Sequence, residues 1–280
     1  MTAAGPRARS LIGSWVVLMG IVLVACGAES PVVAPTPNDP SEPVRDTLQG
    51  IDLTRLEGIA AGIANGSRFP GVHSLLIQRR GVLVFEQYFD PGSAGERHTL
   101  QSVTKSFASA LVGIAIARGD IESPEERVLD FFPEWDAELG ADERRSAMRV
   151  EDVLTMRTGT DYNESGPNSP HAELNALPTG WDRFWLERPM VTQPGTAWQY
   201  DSGGAVALSS MLRRRSGMHA DAYAQEFLFG PLAIDDVRWA TNAEGHPHTG
   251  GGLFLTSRDA LKLGQLYLQR GEWEGTQLIP

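Results

Sequence analysis

Ser102-Val103-Thr104-Lys105 sets a hydroxyl and an amine three residues apart, and on a helix that spacing is one face. A serine hydroxyl becomes a competent nucleophile only when a neighbouring base takes its proton. A lysine amine can be that base when it is neutral, a state favoured by burial among apolar neighbours and by nearby positive charge. Arginine stays charged and cannot substitute. Composition makes the pair informative, because the chain has two lysines, Lys105 and Lys262, against 22 arginines. It uses arginine almost wherever a plain cation will do. With 19 serines in 280 residues, one of two lysines has a serine three before it by chance about once in seven, so the pair alone is suggestive rather than diagnostic.

The element that must carry the pair is a helix over about 103–118. Phe107, Ala108, Ala110, Leu111, Val112, Ile114, Ala115 and Ile116 make it apolar nearly all round, which predicts burial of the helix and of Lys105 with it. Ser102 at its N-terminus also puts a backbone N–H where an oxyanion could be held. A third group should sit against the pair to relay a proton to the leaving group. Tyr200 is the candidate, in Pro194-Gly195-Thr196-Ala197-Trp198-Gln199-Tyr200-Asp201-Ser202. Taken alone, it reads as a half-buried core tyrosine.

Around these residues, the spacing of Ile51, Leu53, Leu56, Ile59, Ala60 and Ile63, closed by Asn65-Gly66, predicts an opening helix. Residues 72–79 and 82–89 flank Arg80-Gly81 and predict a hairpin, apolar on both faces and so covered by helices on both sides. Further helices are expected at about 150–157, 180–187, 203–216, 220–228 and 257–270, with long loops at 159–170 and 188–196. No later stretch reads as a strand, and a lone hairpin is marginal in water. The chain stops at Gly275-Thr276-Gln277-Leu278-Ile279-Pro280, so the expectation is a fragment whose remaining strands lie beyond Pro280. Such a fragment would have a bare sheet edge and little activity of its own.

The N-terminus reads differently. Arg7 and Arg9 precede an apolar run from Leu11 to Ala25, shorter than the ~20 residues of a spanning helix and suited to a secretory signal. Leu23-Val24-Ala25-Cys26-Gly27 ends it, and Cys26 is the single cysteine, so no internal disulfide can form. Residues 28–44, AESPVVAPTPNDPSEPV, form a Pro- and Ser-rich spacer. The formal charge of −11 argues against nucleic acid or an anionic membrane surface as the main partner, and Arg213 to Arg215 read as a solvated helix face. His246-Pro247-His248 lacks a third ligand at sensible spacing and reads as a loop, so no metal is expected.

These residues resemble the serine β-lactamase and penicillin-binding-protein superfamily, in particular the class C β-lactamase-like serine hydrolases that include esterases, D-amino-acid peptidases and 6-aminohexanoate-oligomer hydrolases. The resemblance runs from about Leu53 to the last residue. Ser102-Val103-Thr104-Lys105 matches the SxxK box, and Tyr200-Asp201-Ser202 the tyrosine box after its Pro-Gly-Thr turn, about 95 residues downstream. Val150 to Gly159 looks like the helix and Thr-Gly turn before the active-site loop, and Gly250-Gly251-Gly252-Leu253 with Thr256-Ser257-Arg258-Asp259 like the glycine turn into a late helix. The Leu23 to Gly27 run resembles a bacterial lipobox, which implies a lipid on Cys26, export to the cell envelope and membrane attachment.

The resemblance implies an α+β fold, a three-layer α/β/α sandwich with an antiparallel sheet plus a helical subdomain. Residues 1–26 would be the signal, 27–50 the linker and 51–280 the hydrolase domain, its α/β part at about 51–120 and 233–280 and its helical part at about 121–232. It implies that Ser102 is acylated, that Lys105 and Tyr200 share general-base and general-acid duty, and that water releases the acyl group without a cofactor. Asp161, Tyr162 and Ser202 would line the substrate mouth for a small or peptide-like ester or amide. Class C enzymes carry asparagine where this chain has Ser202, which moves the expectation toward the esterase and oligomer-hydrolase branch. A β-lactamase or D-alanyl-D-alanine carboxypeptidase, and a catalytically silent peptidoglycan-binding module, remain the alternatives. The third box, Lys/His-Thr/Ser-Gly on a strand, is expected beyond Pro280; His248-Thr249-Gly250 imitates it but reads as a loop.

Overall fold

The computed structural model describes residues 47–48, 50–165 and 169–280, all within one unit, residues 43–280. The apolar run at 11–25, Cys26 and the spacer lie outside the described residues. A short pair, β1 (Thr47–Leu48) with β2 (Ile51–Asp52), leads into α1 (Leu53–Ala64). Asp52 caps α1 by accepting from the Arg55 N–H at 3.1 Å, which satisfies one of the helix's free N-terminal donors.

The expected hairpin is β3 (Ser74–Arg79) with β4 (Val82–Tyr88). Its turn residues Arg80 and Gly81 have φ of 51° and 78°, the two-residue turn whose twist matches that of paired strands. Leu75 and Phe85 on one face pack with Ile59, Ala60 and Ile63 of α1.

The chain then runs through β5 (Arg97–Thr99), a 3-10 turn at Gln101–Val103 and α2 (Thr104–Arg118). A wholly helical stretch follows: α3 (Pro133–Leu139), α4 (Glu143–Ala147), α5 (Val150–Leu154), α6 (Pro170–Ala176), α7 (Trp181–Leu186), α8 (Ser202–Ser216) and α9 (Ala220–Ala224), the last continued by a π-helical turn to Phe229. The chain closes with β6 (Arg238–Trp239), β7 (Leu253–Thr256), α10 (Ser257–Leu268) and a terminal pair, β8 (Glu272–Trp273) with β9 (Thr276–Gln277). α10 covers the second face of the hairpin, where Ser74 bonds Ser257 at 2.8 Å and Gln78 bonds Gln265 at 2.6 Å. Both faces of the hairpin are thus covered.

The expectation of no later strand is corrected. β5, β7 and β6 form an antiparallel sheet in that order, with Arg97 opposite Thr256 and Trp239 opposite Leu253. Each strand has four residues or fewer, too few for period-two alternation to register. The five-to-seven-residue helices α3, α4 and α6 escape periodicity for the same reason.

α2 and α8 form the core of the fold. Phe107, Ala108, Leu111, Val112 and Ala115 are at 0% exposure, and burial of each large side chain is worth about 2 kcal/mol relative to leaving it in water. Gly203 of α8 has no side chain to obstruct Tyr162; a Cβ there would lie 2.4 Å from the Tyr162 ring. The arginine triplet departs from a plain solvated face: Arg214 pairs with Glu134 and lies 4.6 Å over the Phe132 ring, while Arg215 pairs with Glu126 and covers Phe131.

Candidate active site

Ser102 is held by the sheet beneath it. The Leu100 N–H donates to the Leu253 carbonyl at 2.9 Å, and the Leu253 N–H donates to the Thr104 hydroxyl at 3.3 Å, so β7 grips the chain on both sides of the serine. Between them Gln101 takes φ of +45°, a left-handed conformation that costs a non-glycine residue about 1–2 kcal/mol. That bend leaves Ser102 exposed at the mouth of α2.

Lys105 lies one turn along the same face. Its Nζ is 3.1 Å from Ser102 Oγ, donates to the Gly250 carbonyl at 2.5 Å and sits 5.0 Å from the centre of the Tyr200 ring. Three segments far apart in the chain therefore meet at one amine. Lys105 is half-buried rather than buried with its helix, because it lies beside the exposed Ser102 in the first turn of α2.

Tyr200 is half-buried and its segment is tied down on both sides. Gly195 N–H donates to Arg157 O at 2.8 Å and Gln199 N–H to Met156 O at 3.0 Å. The next residue, Asp201, is 2% exposed. Its carboxylate accepts from Trp185 Nε1 at 3.0 Å, the Thr158 hydroxyl at 2.9 Å, the Thr160 hydroxyl at 3.3 Å and, as the cap of α8, the Gly204 N–H at 2.8 Å. Burial pushes the Asp201 carboxyl up, against these bonds, which pull it down. Asp201 thus joins α7, the Thr158-Gly159-Thr160 turn and α8 immediately beside Tyr200.

Two expected mouth residues are corrected. Tyr162 is 0% exposed; its ring lies on Gly203, its hydroxyl meets His171 Nδ1 at 3.3 Å, and burial pushes its phenol up. Ser202 is 2% exposed inside the first turn of α8, where its N–H donates to the Glu164 carboxylate. Both are packing positions. Asp161 is exposed on the loop and lies 4.0 Å from the Arg188 guanidinium.

The His248-Thr249-Gly250 stretch is a loop, as its sequence suggests, yet it reaches the centre through the Gly250 carbonyl. Thr249 is buried and donates to Ala205 O at 2.6 Å. The imidazoles of His248 and His171 lie 5.8 Å apart, while His246 instead faces His219 at 5.2 Å. The sequence alone assigns no role to Asp201, Thr158, Thr160, Gly250 or the His171–His248 pair. Asp201 carries a usable signal as an Asp before a helix start, and Thr158 and Gly250 lie in the Thr-Gly and glycine turns that the resemblance picks out; Thr160 and the histidine pair carry none.

Burial lowers His171 and His246 and takes His248 down to about 4. A histidine depressed by folding binds its proton more tightly when unfolded, so its contribution is complete above the unfolded value near 6.5 and is lost as pH falls through the folded one. For His248 alone this amounts to as much as about 2 kcal/mol between pH 7 and pH 5. The thermal midpoint is expected to fall by about 5 °C over that interval, with a flatter dependence in His248→Phe; equal slopes in the two proteins would refute the assignment.

Comparison with known proteins accords with this geometry. The Beta-lactamase family model matches residues 56–276. The 6-aminohexanoate-dimer hydrolase of Paenarthrobacter ureafaciens is 25% identical over 270 residues, covering 89% of this chain; the chain spans 64% of that protein's length. Among solved structures, EstCE1, a hydrolase with promiscuous acyltransferase activity, is similar with a TM-score of 0.67 and 16% identity, over 81% of this chain and 74% of that one. The octameric penicillin-binding protein homologue from Pyrococcus abyssi is similar with a TM-score of 0.59 and 19% identity, over 82% of this chain and 58% of that one. The fold is β-lactamase/transpeptidase-like, mixed α and β with antiparallel sheets.

Proposed function

Because this chain belongs to the Beta-lactamase family, we propose that it is a serine hydrolase that opens an ester or amide bond of a small or peptide-like substrate through an acyl-enzyme on Ser102. The observation that carries the reading is the 3.1 Å approach of Lys105 Nζ to Ser102 Oγ, with the Gly250 carbonyl and the Tyr200 ring against the same amine. In its neutral form the amine keeps an N–H on the Gly250 carbonyl and turns its lone pair to the serine hydroxyl. It takes the hydroxyl proton as Oγ attacks the substrate carbonyl, and the proton passes by way of Lys105 or Tyr200 to the departing alcohol or amine. Water then attacks the acyl-enzyme with the same groups acting in reverse. The named activities of the relatives, a 6-aminohexanoate-dimer hydrolase and a hydrolase with acyltransferase activity, support the esterase and amidohydrolase branch.

The same proposal extends to location. Arg7, Arg9, the apolar run to Ala25 and the single cysteine, Cys26, support export followed by lipid attachment at Cys26. A serine-reactive fluorophosphonate added to the whole protein should leave one mass adduct, mapped to Ser102, on a species that sediments with membranes and is released by Cys26→Ser. Labelling that maps to another residue, or that persists in Ser102→Ala, would sink the hydrolase reading; labelling confined to soluble protein would sink the anchor.

A further inference from the structure

His248 has no part in the acyl-transfer chemistry above, yet its ring lies under the turn that contacts the lysine. A Cβ built on Gly250 would be 2.9 Å from Val206 Cγ2, 3.0 Å from the Ser202 carbonyl oxygen and 3.3 Å from His248 Cε1, one on Gly251 3.7 Å from that same Cε1 and 3.8 Å from the Gln101 carbonyl, and one on Gly252 2.8 Å from His248 Cβ. The glycine turn is therefore a thin layer between the imidazole and the backbone that carries Ser102. The main chain of His248 is anchored as firmly: its N–H donates to Ala240 O at 2.7 Å, and its carbonyl accepts from Trp239 Nε1 at 3.1 Å and from the Gly252 N–H at 2.9 Å. The ring is fixed edge-on to Trp181 at 5.2 Å and to His171 at 5.8 Å, with Nε2 on Asn175 Oδ1 at 2.9 Å. Its Nδ1 is buried and has no hydrogen-bond partner among the described residues.

We propose that His248 is a positioning residue for Lys105, its imidazole being the wedge that holds the Gly250 carbonyl against Nζ from the far side of the turn. The inference rests on the acyl-enzyme reading of Ser102. The ring suits this role while uncharged. The groups around it are His171 and Asn175 on α6, Trp181 on α7 and Lys105 on α2, with Glu164 and the Tyr162 hydroxyl acting on His171. A proton on His248 would add a cation beside His171 and Lys105, and Glu164, the carboxylate that acts on His171, is already bound to the Ser202 N–H. The turn would then be pushed from the amine, and Lys105 would lose the acceptor that orients it.

Two readouts test this on the whole protein. The first is the rate of fluorophosphonate labelling at Ser102 across pH. His248→Ala should label at least tenfold more slowly at pH 7.5, and His248→Phe, which refills the wedge without a titrating group, should recover to within threefold and lose one acid-side inflection. The second does not depend on activity. Reductive ¹³C-methylation marks the side chains of Lys105 and Lys262, and the Lys105 resonance should show an acid-side titration step that is absent in His248→Phe, while the Lys262 resonance is the same in both. If parent and His248→Ala label equally fast, or the Lys105 resonance titrates identically in His248→Phe, the positioning role is wrong. A parent that never labels at Ser102 but whose Lys105 resonance follows His248 would retain the contact and overturn the hydrolase reading instead.

Discussion

Replacing Ser102 with alanine is expected to lower the acylation rate on a chromogenic ester by a factor on the order of 10⁴ or more, with little change in the thermal midpoint. The oxygen removed is exposed and its one described partner is Lys105 Nζ, so the fold loses almost nothing while the reaction loses its nucleophile. Lys105→Arg should fall on the order of 10³-fold although it keeps the charge, since a guanidinium cannot give up its proton to become the base. It would also present a planar fork to the Gly250 carbonyl, which now receives a single N–H at 2.5 Å. Single-turnover kinetics check both values. An arginine variant within tenfold of the parent would mean that Lys105 acts only as a cation and that Tyr200 takes the proton.

Asp201→Ala should be the most damaging change to the fold near the site, costing about 4 kcal/mol and lowering the thermal midpoint by roughly 8–16 °C. It removes the helix cap, worth ~1 kcal/mol. It also leaves the Trp185 Nε1–H and one of two threonine hydroxyls turned toward a buried gap, since Thr158 and Thr160 can still bond each other, each unsatisfied group costing about 1–3 kcal/mol. Asp201→Asn should lose less, because its carbonyl oxygen still accepts while its NH₂ meets donors. Tyr200 would be held less firmly, more so in Asp201→Ala than in Asp201→Asn, so acylation per folded molecule should fall in the same order. A midpoint within 2 °C of the parent in Asp201→Ala would show that the network orients groups without stabilising them.

The parts of this molecule that could be read from the chain are those whose partners lie within one or two turns. Ser102 and Lys105 share a face because they are three apart on a helix. The hairpin is legible through Arg80-Gly81, and α8 starts at an aspartate followed by small residues. Tyr200 is less legible: alone it reads as a core tyrosine, and it is the resemblance to the tyrosine box of the serine β-lactamase superfamily that implies a catalytic role.

What tertiary structure alone decided is which distant segments meet. The strand at 253–256 exists because β5, about 155 residues earlier, lies beside it, and four residues hold too little periodicity to announce that pairing. Tyr162 belongs to the core because Gly203 leaves room for its ring, a fact about a neighbour 41 residues away. Lys105 is half-buried beside the exposed Ser102 in the first turn of α2, and its surroundings are completed by the Gly250 carbonyl, 145 residues away in the chain. Local spacing fixes which side chains share a face; what stands opposite that face depends on chain-distant packing, which no short window of sequence contains.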